Sequence, residues 1–197
     1  MTPPKSQAPD WIYQPDFLPK EVADQLFQTL REQVDWQQYH VRIFGKKLPQ
    51  PRLTAWYGEP GTAYTYSGLN LEPLAWTAPL LDLRAQVQGW GGHAFNSVLL
   101  NLYRHGQDSM GWHQDDEKML GPEPIIASVS LGASRKFNLR SRDQSAVEKH
   151  SFSLEHGSLF WMKAGMQARW QHSLPKTARM VAERINLTFR YIFPEGL

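Results

Sequence analysis

The sequence predicts a mainly β protein with flanking helices, built on a double-stranded β-helix, or jelly-roll, core. Two helical stretches occur in the first half of the chain, and roughly eight short strand-like stretches follow in the second half. A chain of 197 residues, 41% of them hydrophobic and 20% charged, can bury one core of this kind. We therefore expect a single domain whose helices pack on one sheet.

The first helix is predicted from Pro19, since proline suits a first helical turn, to about Trp36. Apolar residues at intervals of four mark its buried face: Val22, Leu26, Leu30 and Val34. The second helix is predicted from Thr77, a residue suited to the N-cap, to Val87. Gly89 is placed to end it. The polar, proline-rich residues 1–10 are expected to be disordered.

Alternating patterns from Phe95 onward predict the strands of the core. Between the two helices, residues 39–47 predict a hairpin with Phe44 at its tip beside two lysines. Phe44 is either an apolar wedge pressed against nucleic acid or a hydrophobic contact within the fold. The stretches predicted as core strands are 98–103, 125–131, 135–140, 152–154, 157–162, 170–175 and 184–192.

The composition limits which kinds of site are possible. The chain has no cysteine, so disulfides and thiolate zinc sites are excluded, and any metal must bind to His, carboxylate or water. The net charge of +2 permits a nucleic-acid partner without requiring one. Neither an apolar signal core nor a run of about 18 apolar residues is present, so we expect a soluble, intracellular protein with no membrane partner.

A His and an Asp two positions apart, His113 and Asp115, suggest a metal site. Side chains at this spacing point the same way from an extended segment, so the imidazole and the carboxylate can converge on one ion. A second imidazole would complete the facial triad preferred by oxygen-activating iron, and His172 is the favoured candidate among the remaining histidines. The alternative is a surface loop with a salt-bridged histidine.

The last predicted strand carries a second set of polar candidates. Its polar residues alternate with apolar ones, so they share one face: Arg184, Asn186, Thr188 and Arg190. This face either lines a cavity or is a solvated sheet edge. The planar fork of an arginine side chain matches a carboxylate, which favours an anionic ligand in the first case.

Four segments occur in a characteristic order: Asn101-Leu102-Tyr103, His113-Gln114-Asp115-Asp116-Glu117, Trp170-Gln171-His172-Ser173-Leu174-Pro175 and Arg184-Ile185-Asn186-Leu187-Thr188-Phe189-Arg190. Together they resemble the AlkB family of iron(II)- and 2-oxoglutarate-dependent DNA dealkylases, and the likeness extends from about residue 43 to residue 192. Three further stretches look most like the branch that acts on duplex DNA: Phe44-Gly45-Lys46, Pro51-Arg52 and Tyr64-Thr65-Tyr66-Ser67-Gly68.

The resemblance implies iron(II) ligands at His113, Asp115 and His172, with O2 and 2-oxoglutarate as cosubstrates. Arg184 is expected to pair with the distal carboxylate of 2-oxoglutarate, and Arg190 is expected to lie beside Asp115. The full set of residues implied to bind 2-oxoglutarate is Asn101, Tyr103, Arg184, Asn186, Thr188 and Arg190.

The resemblance also implies a pocket for a base flipped out of the helix. Phe44 would fill the gap left in the stack, and Tyr66 would stack on the flipped base. Asp116 and Glu117 would form an acidic edge favouring cationic lesions such as 1-methyladenine and 3-methylcytosine, the alternative being a solvated loop. The residues implied to contact the substrate are Phe44, Arg52, Tyr64, Tyr66, Ser67, Asp116 and Glu117.

These inferences predict a monomeric DNA-repair dioxygenase acting on alkylated single- or double-stranded DNA. It would release an aldehyde from the N-alkylated base while 2-oxoglutarate becomes succinate and CO2. Residues 11–197 would form one dioxygenase domain, with helices and nucleotide-recognition hairpins in 11–94 and the catalytic jelly roll in 95–197. Such a protein would be cytoplasmic in bacteria and nuclear in eukaryotes. The alternatives are a dealkylase of RNA or of a protein side chain, and a non-catalytic nucleic-acid-binding module on the same fold.

Overall fold

The computed structural model describes residues 9–43, 46–66, 69–143, 145 and 148–193. None of the helices in these ranges is long and apolar enough to cross a membrane. The helices are α1 (Lys20–Gln33), α2 (Ala78–Gly91) and α3 (Met166–Arg169). The strands are β1 (Trp11–Gln14), β2 (His40–Ile43), β3 (Lys46–Pro49), β4 (Leu53–Gly58), β5 (Tyr64–Tyr66), β6 (Leu69–Leu71), β7 (Ser97–Tyr103), β8 (Met110–His113), β9 (Ile126–Gly132), β10 (Arg135–Ser141), β11 (Lys149–Leu154), β12 (Ser158–Met162), β13 (Trp170–Leu174) and β14 (Arg184–Arg190).

Two antiparallel sheets form the core. The larger has the strand order β1-β12-β9-β14-β7-β4, and the smaller has the order β11-β10-β13-β8. The hairpins β2–β3 and β5–β6 are two-stranded sheets separate from both. β1 and β4 precede residue 95, so the large sheet draws strands from both parts of the chain. The predicted mainly β fold with flanking helices is confirmed.

Strand β14 has two different environments on its two faces, as its alternation predicts. Ile185, Leu187 and Phe189 are fully buried in a cluster that includes Leu30 of α1 and Leu83 of α2. The helices therefore cover the outer face of the large sheet. The opposite face of β14 points between the two sheets, where the polar residues of this strand line a cavity. A second apolar cluster fills another part of the space between the sheets: Ile126, Phe137, Leu139, Leu154, Phe160, Met162, Met166 and Trp170.

Both helices end at residues other than those predicted, and α1 ends at Gln33 instead of about Trp36. Helix α2 continues through Gly89 to Gly91, and it ends at Gly92, whose φ of 65° is the left-handed conformation that glycine adopts without steric cost. Thr77 does occupy the N-cap, although its side chain makes no capping hydrogen bond. In α1, Val22 is 43% exposed, so the predicted apolar face is only partly covered.

Residues 9 and 10, at the end of the segment predicted to be disordered, belong to the described part of the chain. Asp10 accepts hydrogen bonds from Nε of Arg169 at 2.7 Å and from Nε1 of Trp170 at 2.8 Å. The next residues form β1, which pairs with β12 at the edge of the large sheet. Residues 1–8, the rest of the predicted disordered segment, lie outside the described residues.

Gly91→Ala is expected to destabilise the protein, by about 1–3 kcal/mol, because a Cβ atom there would overlap the ring of Trp161 in the packed core. Gly89→Ala, two positions earlier in the same helix, is the matched control, since nothing lies within 4 Å of its added Cβ. That change should stabilise by roughly 0.5–1 kcal/mol through helix propensity. Urea denaturation measures both, and equal effects of the two variants would contradict the packing argument.

Candidate metal centre and cofactor cavity

Two neighbouring strands of the small sheet bring the predicted metal ligands together. His113 ends β8 and His172 lies in β13, and the two residues are direct partners in the strand register. Their ring centroids are 4.1 Å apart. Asp115 follows two residues after His113, and its Oδ1 lies 3.8 Å from His113 Nε2. One ligand atom from each residue lies within 4.8 Å of the others, the single such group in the described ranges.

Both imidazoles are arranged to offer a nitrogen lone pair. Nδ1 of His113 lies 2.9 Å from the carbonyl oxygen of Gly111, which can only accept, so this nitrogen carries the hydrogen and Nε2 is free to bind. His172 is buried, and burial together with the adjacent His113 lowers its pKa to about 3. His172 is therefore neutral at pH 7, the form that binds a metal.

Asp115 is a buried carboxylate held by an arginine. Its Oδ2 accepts a hydrogen bond from Nη2 of Arg190 at 2.9 Å, and both side chains are almost fully buried. Burial alone would raise the pKa of Asp115, but the positive charge of Arg190 holds it well below its usual range. The carboxylate is thus ionised, and its other oxygen points toward His113.

The donor set suits iron(II). Two imidazoles and one carboxylate on one side of an ion form the facial triad of non-haem iron oxygenases, which leaves positions open for other ligands. Nδ1 of His172 is buried and has no hydrogen-bond partner among the described residues. Leaving a buried polar atom without a partner costs free energy, so the His172 ring is expected to bind a ligand.

The large sheet supplies the second half of the cavity. Asn101 of β7 lies opposite Asn186 of β14 in the strand register. Oδ1 of Asn101 accepts hydrogen bonds from Nε of Arg52 at 3.0 Å and from Oγ1 of Thr54 at 3.1 Å. Because two donors already occupy the amide oxygen, the N–H groups of Asn101 remain for an acceptor in the cavity.

Arg184 is the most deeply buried cation that lines the cavity, with 1% of its surface exposed. Its Nη2 donates to Oγ of Ser130 at 2.8 Å and to Oδ1 of Asn186 at 2.6 Å. Its guanidinium lies 5.4 Å from the centre of the Tyr103 ring. Burial lowers the pKa of Arg184 to about 10, so the group stays charged at neutral pH. Nε and Nη1 have no hydrogen-bond partner among the described residues.

The cavity favours an anionic ligand. Three buried guanidinium groups line it, those of Arg52, Arg184 and Arg190, against the one buried carboxylate of Asp115. The excess of two positive charges (3 − 1 = 2) is unfavourable in a desolvated site unless an anion enters. The Nε and Nη1 groups of Arg184, which have no partner among the described residues, can donate hydrogen bonds to a carboxylate, whose charge also complements the guanidinium. A dicarboxylate such as 2-oxoglutarate satisfies both requirements.

Comparison with known proteins agrees with this donor set. The family described as the 2OG-Fe(II) oxygenase superfamily matches residues 10–190. The chain belongs to this superfamily. Alpha-ketoglutarate-dependent dioxygenase alkB homolog 3 of Bos taurus is 44% identical over 189 residues, which are 92% of this chain and 65% of the relative. DNA oxidative demethylase ALKBH2 of Mus musculus is 42% identical over 184 residues, which are 89% of this chain and 77% of the relative.

These relatives place the chain in the AlkB family, as its motifs predicted. The chain spans just under two thirds of the length of the alkB homolog 3 relatives that it matches. A solved structure described as "The structure of OsALKBH1" shares the fold, with a TM-score of 0.59, 18% identity, and coverage of 94% of this chain and 100% of that one. The jelly-roll prediction is therefore confirmed. Iron(II), 2-oxoglutarate and O2, the cofactors of the superfamily, are also those predicted.

The predicted substrate residues of this AlkB-family member are less completely described. Phe44 and Ser67 lie outside the described residues. Tyr64 and Tyr66 belong to strand β5 of a separate hairpin, and their side chains also lie outside the described part of the chain. Arg52 is buried and bonded to Asn101, so it lines the cofactor cavity.

The two acidic residues next to the ligand Asp115 have different surroundings. Asp116 is exposed and accepts a hydrogen bond from Nε2 of Gln114 at 2.8 Å. Glu117 is half-buried. Neither residue is among those that line the cavity.

Four polar residues of the site were not predicted. Ser128 and Ser130 are uncharged, but both hydrogen-bond residues of the site. The hydroxyl of Ser128 donates to Oδ1 of Asn186, and the hydroxyl of Ser130 accepts from Nη2 of Arg184. Their alternation with apolar residues in β9 was a usable signal, because it placed them on one face of a buried strand. Thr54 and Gln167 gave no comparable signal, since each contacts the site only through the tertiary fold.

Proposed function

We propose that this chain is an iron(II)- and 2-oxoglutarate-dependent dioxygenase that removes alkyl groups from the nitrogens of DNA bases. The observation that carries the proposal is one cavity lined both by the triad His113, Asp115 and His172 and by the buried, partly unpaired Arg184. This arrangement suits a metal ion and a dicarboxylate together. A non-catalytic module would have no need for both halves.

Some residues of the site would bind the metal or the cosubstrate, and others orient those that do. The triad would hold iron(II), which with O2 supplies the oxidation that converts 2-oxoglutarate to succinate and CO2 and hydroxylates the N-alkyl carbon. Arg184 would bind the distal carboxylate of 2-oxoglutarate through its free N–H groups. Arg190 keeps Asp115 ionised and oriented through their hydrogen bond. The surrounding apolar side chains, including Leu99 and Phe137, exclude water from the cavity.

The substrate assignment rests on the relatives and on the surroundings of the cavity. ALKBH2 of Mus musculus is named a DNA oxidative demethylase, and the chain is 42% identical to it. Asp116 and Glu117 would attract cationic lesions such as 1-methyladenine and 3-methylcytosine in preference to neutral bases. We propose that the hairpins β2–β3 and β5–β6, which are separate from both sheets, receive the flipped base.

The direct test is a turnover assay with iron(II), 2-oxoglutarate and an oligonucleotide that contains 3-methylcytosine. Formaldehyde, succinate and restored cytosine are expected in equal amounts. Asp115→Asn, which keeps the size of the ligand but removes its charge, is the inactive control. If 2-oxoglutarate is consumed while the methyl group persists, the chain is a dioxygenase with a different substrate.

Strand preference can be tested with the same lesion in single-stranded DNA, duplex DNA and RNA. If Phe44 is the wedge that replaces the flipped base, Phe44→Ala should lose activity on duplexes and keep it on single strands, since only a duplex leaves a gap in the stack. Equal loss on both substrates would indicate that Phe44 contributes to the fold. Faster turnover of RNA than of DNA would favour the RNA-dealkylase alternative.

A further inference from the structure

The main-chain N–H of the ligand candidate Asp115 has an unusual partner. Strand β8 ends at His113, so Asp115 lies beyond the regular hydrogen bonds of the small sheet. Its N–H donates at 3.0 Å to Oε1 of Gln167, which is 52 residues away in sequence. Both residues are buried, with 3% and 2% of their surfaces exposed. A buried glutamine side chain therefore replaces the missing sheet partner.

The local fold places Gln167 for this contact. Gly165, with a φ of 79°, turns the chain from β12 into the four-residue helix α3, and Gln167 is the second residue of that helix. Nε2 of Gln167 lies 3.2 Å from Sδ of Met162, a weak acceptor. A flipped amide would bring its NH2 group against the N–H of Asp115, two donors facing each other, so Oε1 must be the atom that faces Asp115.

Gln167 links the two segments that carry the ligands. Helix α3 leads directly into β13, which contains His172, while Asp115 belongs to the segment that contains His113. Asp115 is thus held at two points, at its N–H by Gln167 and at Oδ2 by Arg190. These contacts leave Oδ1 as the oxygen nearest to His113.

We propose that Gln167 is a positioning residue of the metal centre, which fixes the main chain of Asp115 so that its carboxylate is preorganised for the ion. The inference rests on the proposed function only in that it requires the triad to bind a metal. Residues that orient metal ligands typically change metal affinity by about 10–100-fold when replaced, and we expect an effect of that size here.

The experiment measures Mn(II) affinity by calorimetry on the full chain, without 2-oxoglutarate or nucleic acid. Gln167→Met keeps the length of the side chain but removes the acceptor, so Mn(II) should bind about 10–100-fold more weakly. Gln88→Met is the control, because Oε1 of the half-buried Gln88 likewise accepts a main-chain N–H, that of the core residue Phe95, at 2.8 Å. It should lower the melting temperature and leave Mn(II) affinity unchanged.

Two further variants of Gln167 test the proposal even if Gln167→Met does not fold. Gln167→Glu keeps an oxygen at the same reach and should bind Mn(II) more tightly than Gln167→Met. The side chain of Gln167→Asn is one methylene shorter, which moves the acceptor oxygen away from the N–H of Asp115, so this variant should also bind Mn(II) more weakly than wild type. Wild-type affinity in a folded Gln167→Met or Gln167→Asn variant, or equal weakening in Gln88→Met, would overturn the proposal. Failure of the wild-type chain to bind Mn(II) would instead refute the metal site in the proposed function.

Discussion

His172→Ala is expected to abolish the proposed dealkylation because it removes one of the three candidate metal ligands. Metal affinity should fall by more than about 100-fold, since even residues that only orient a ligand change affinity by 10–100-fold. The loss should be visible as metal content after dialysis and as turnover below about 1% of wild type in the 3-methylcytosine assay. His172 lies opposite His113 in the small sheet.

His105→Ala is the appropriate comparison for this variant. His105 is exposed, and its Nδ1 accepts a hydrogen bond from the main-chain N–H of nearby Gln107. It should retain wild-type metal content and turnover. Circular dichroism of the metal-free proteins checks that His172→Ala keeps its sheets. Normal iron binding and activity in a folded His172→Ala protein would show that the centre uses a different ligand.

Arg184→Met is expected to raise the KM for 2-oxoglutarate strongly while leaving metal affinity near the wild-type value. Removing one partner of a buried, hydrogen-bonded charge pair costs about 2–5 kcal/mol, which corresponds to roughly 30- to 4,000-fold in affinity. The variant also loses the donors to Ser130 and Asn186. Calorimetric titration of the Mn(II)-loaded protein with 2-oxoglutarate measures the change directly.

Two comparisons separate the role of the guanidinium from a general effect of losing a cation. Arg184→Lys keeps the charge without the planar fork, so its affinity for 2-oxoglutarate should fall between those of wild type and Arg184→Met. Arg31→Met removes an arginine that pairs with Glu183 on the surface and should bind 2-oxoglutarate normally. Unchanged affinity in Arg184→Met would place the distal carboxylate elsewhere, with Arg52 as the next candidate.

Much of the fold could be predicted because the spacing of apolar residues along a helix or strand can be read directly from the sequence. The alternation in residues 184–190 separated an apolar face from a polar face, and in the structure these faces meet the helices and the cavity respectively. The end of α2 was less predictable. Gly89 and Gly92 both suit a helix end, and the choice depends on which of them adopts the left-handed conformation.

The candidate site was predicted from residue types and from motif order. The spacing of His113 and Asp115 showed that they could converge. The setting of His172 at the end of a predicted strand favoured it as the second imidazole, and the family resemblance implied the same residue. The strand pairing of β8 with β13 brings the two histidines together. The low pKa of His172 depends on its burial and on its neighbours, which have no signature in the order of residues.

The sequence by itself determined the donor set, the polar face of the last strand and the family, because these depend on residue identity and on the two-residue period of a strand. Only the tertiary structure decided which side chains support the donors. Gln167 bonds Asp115 across 52 positions, and Arg52 bonds Asn101 across 49. Such contacts form only when distant segments of the chain pack together, so the sequence around either partner does not predict them.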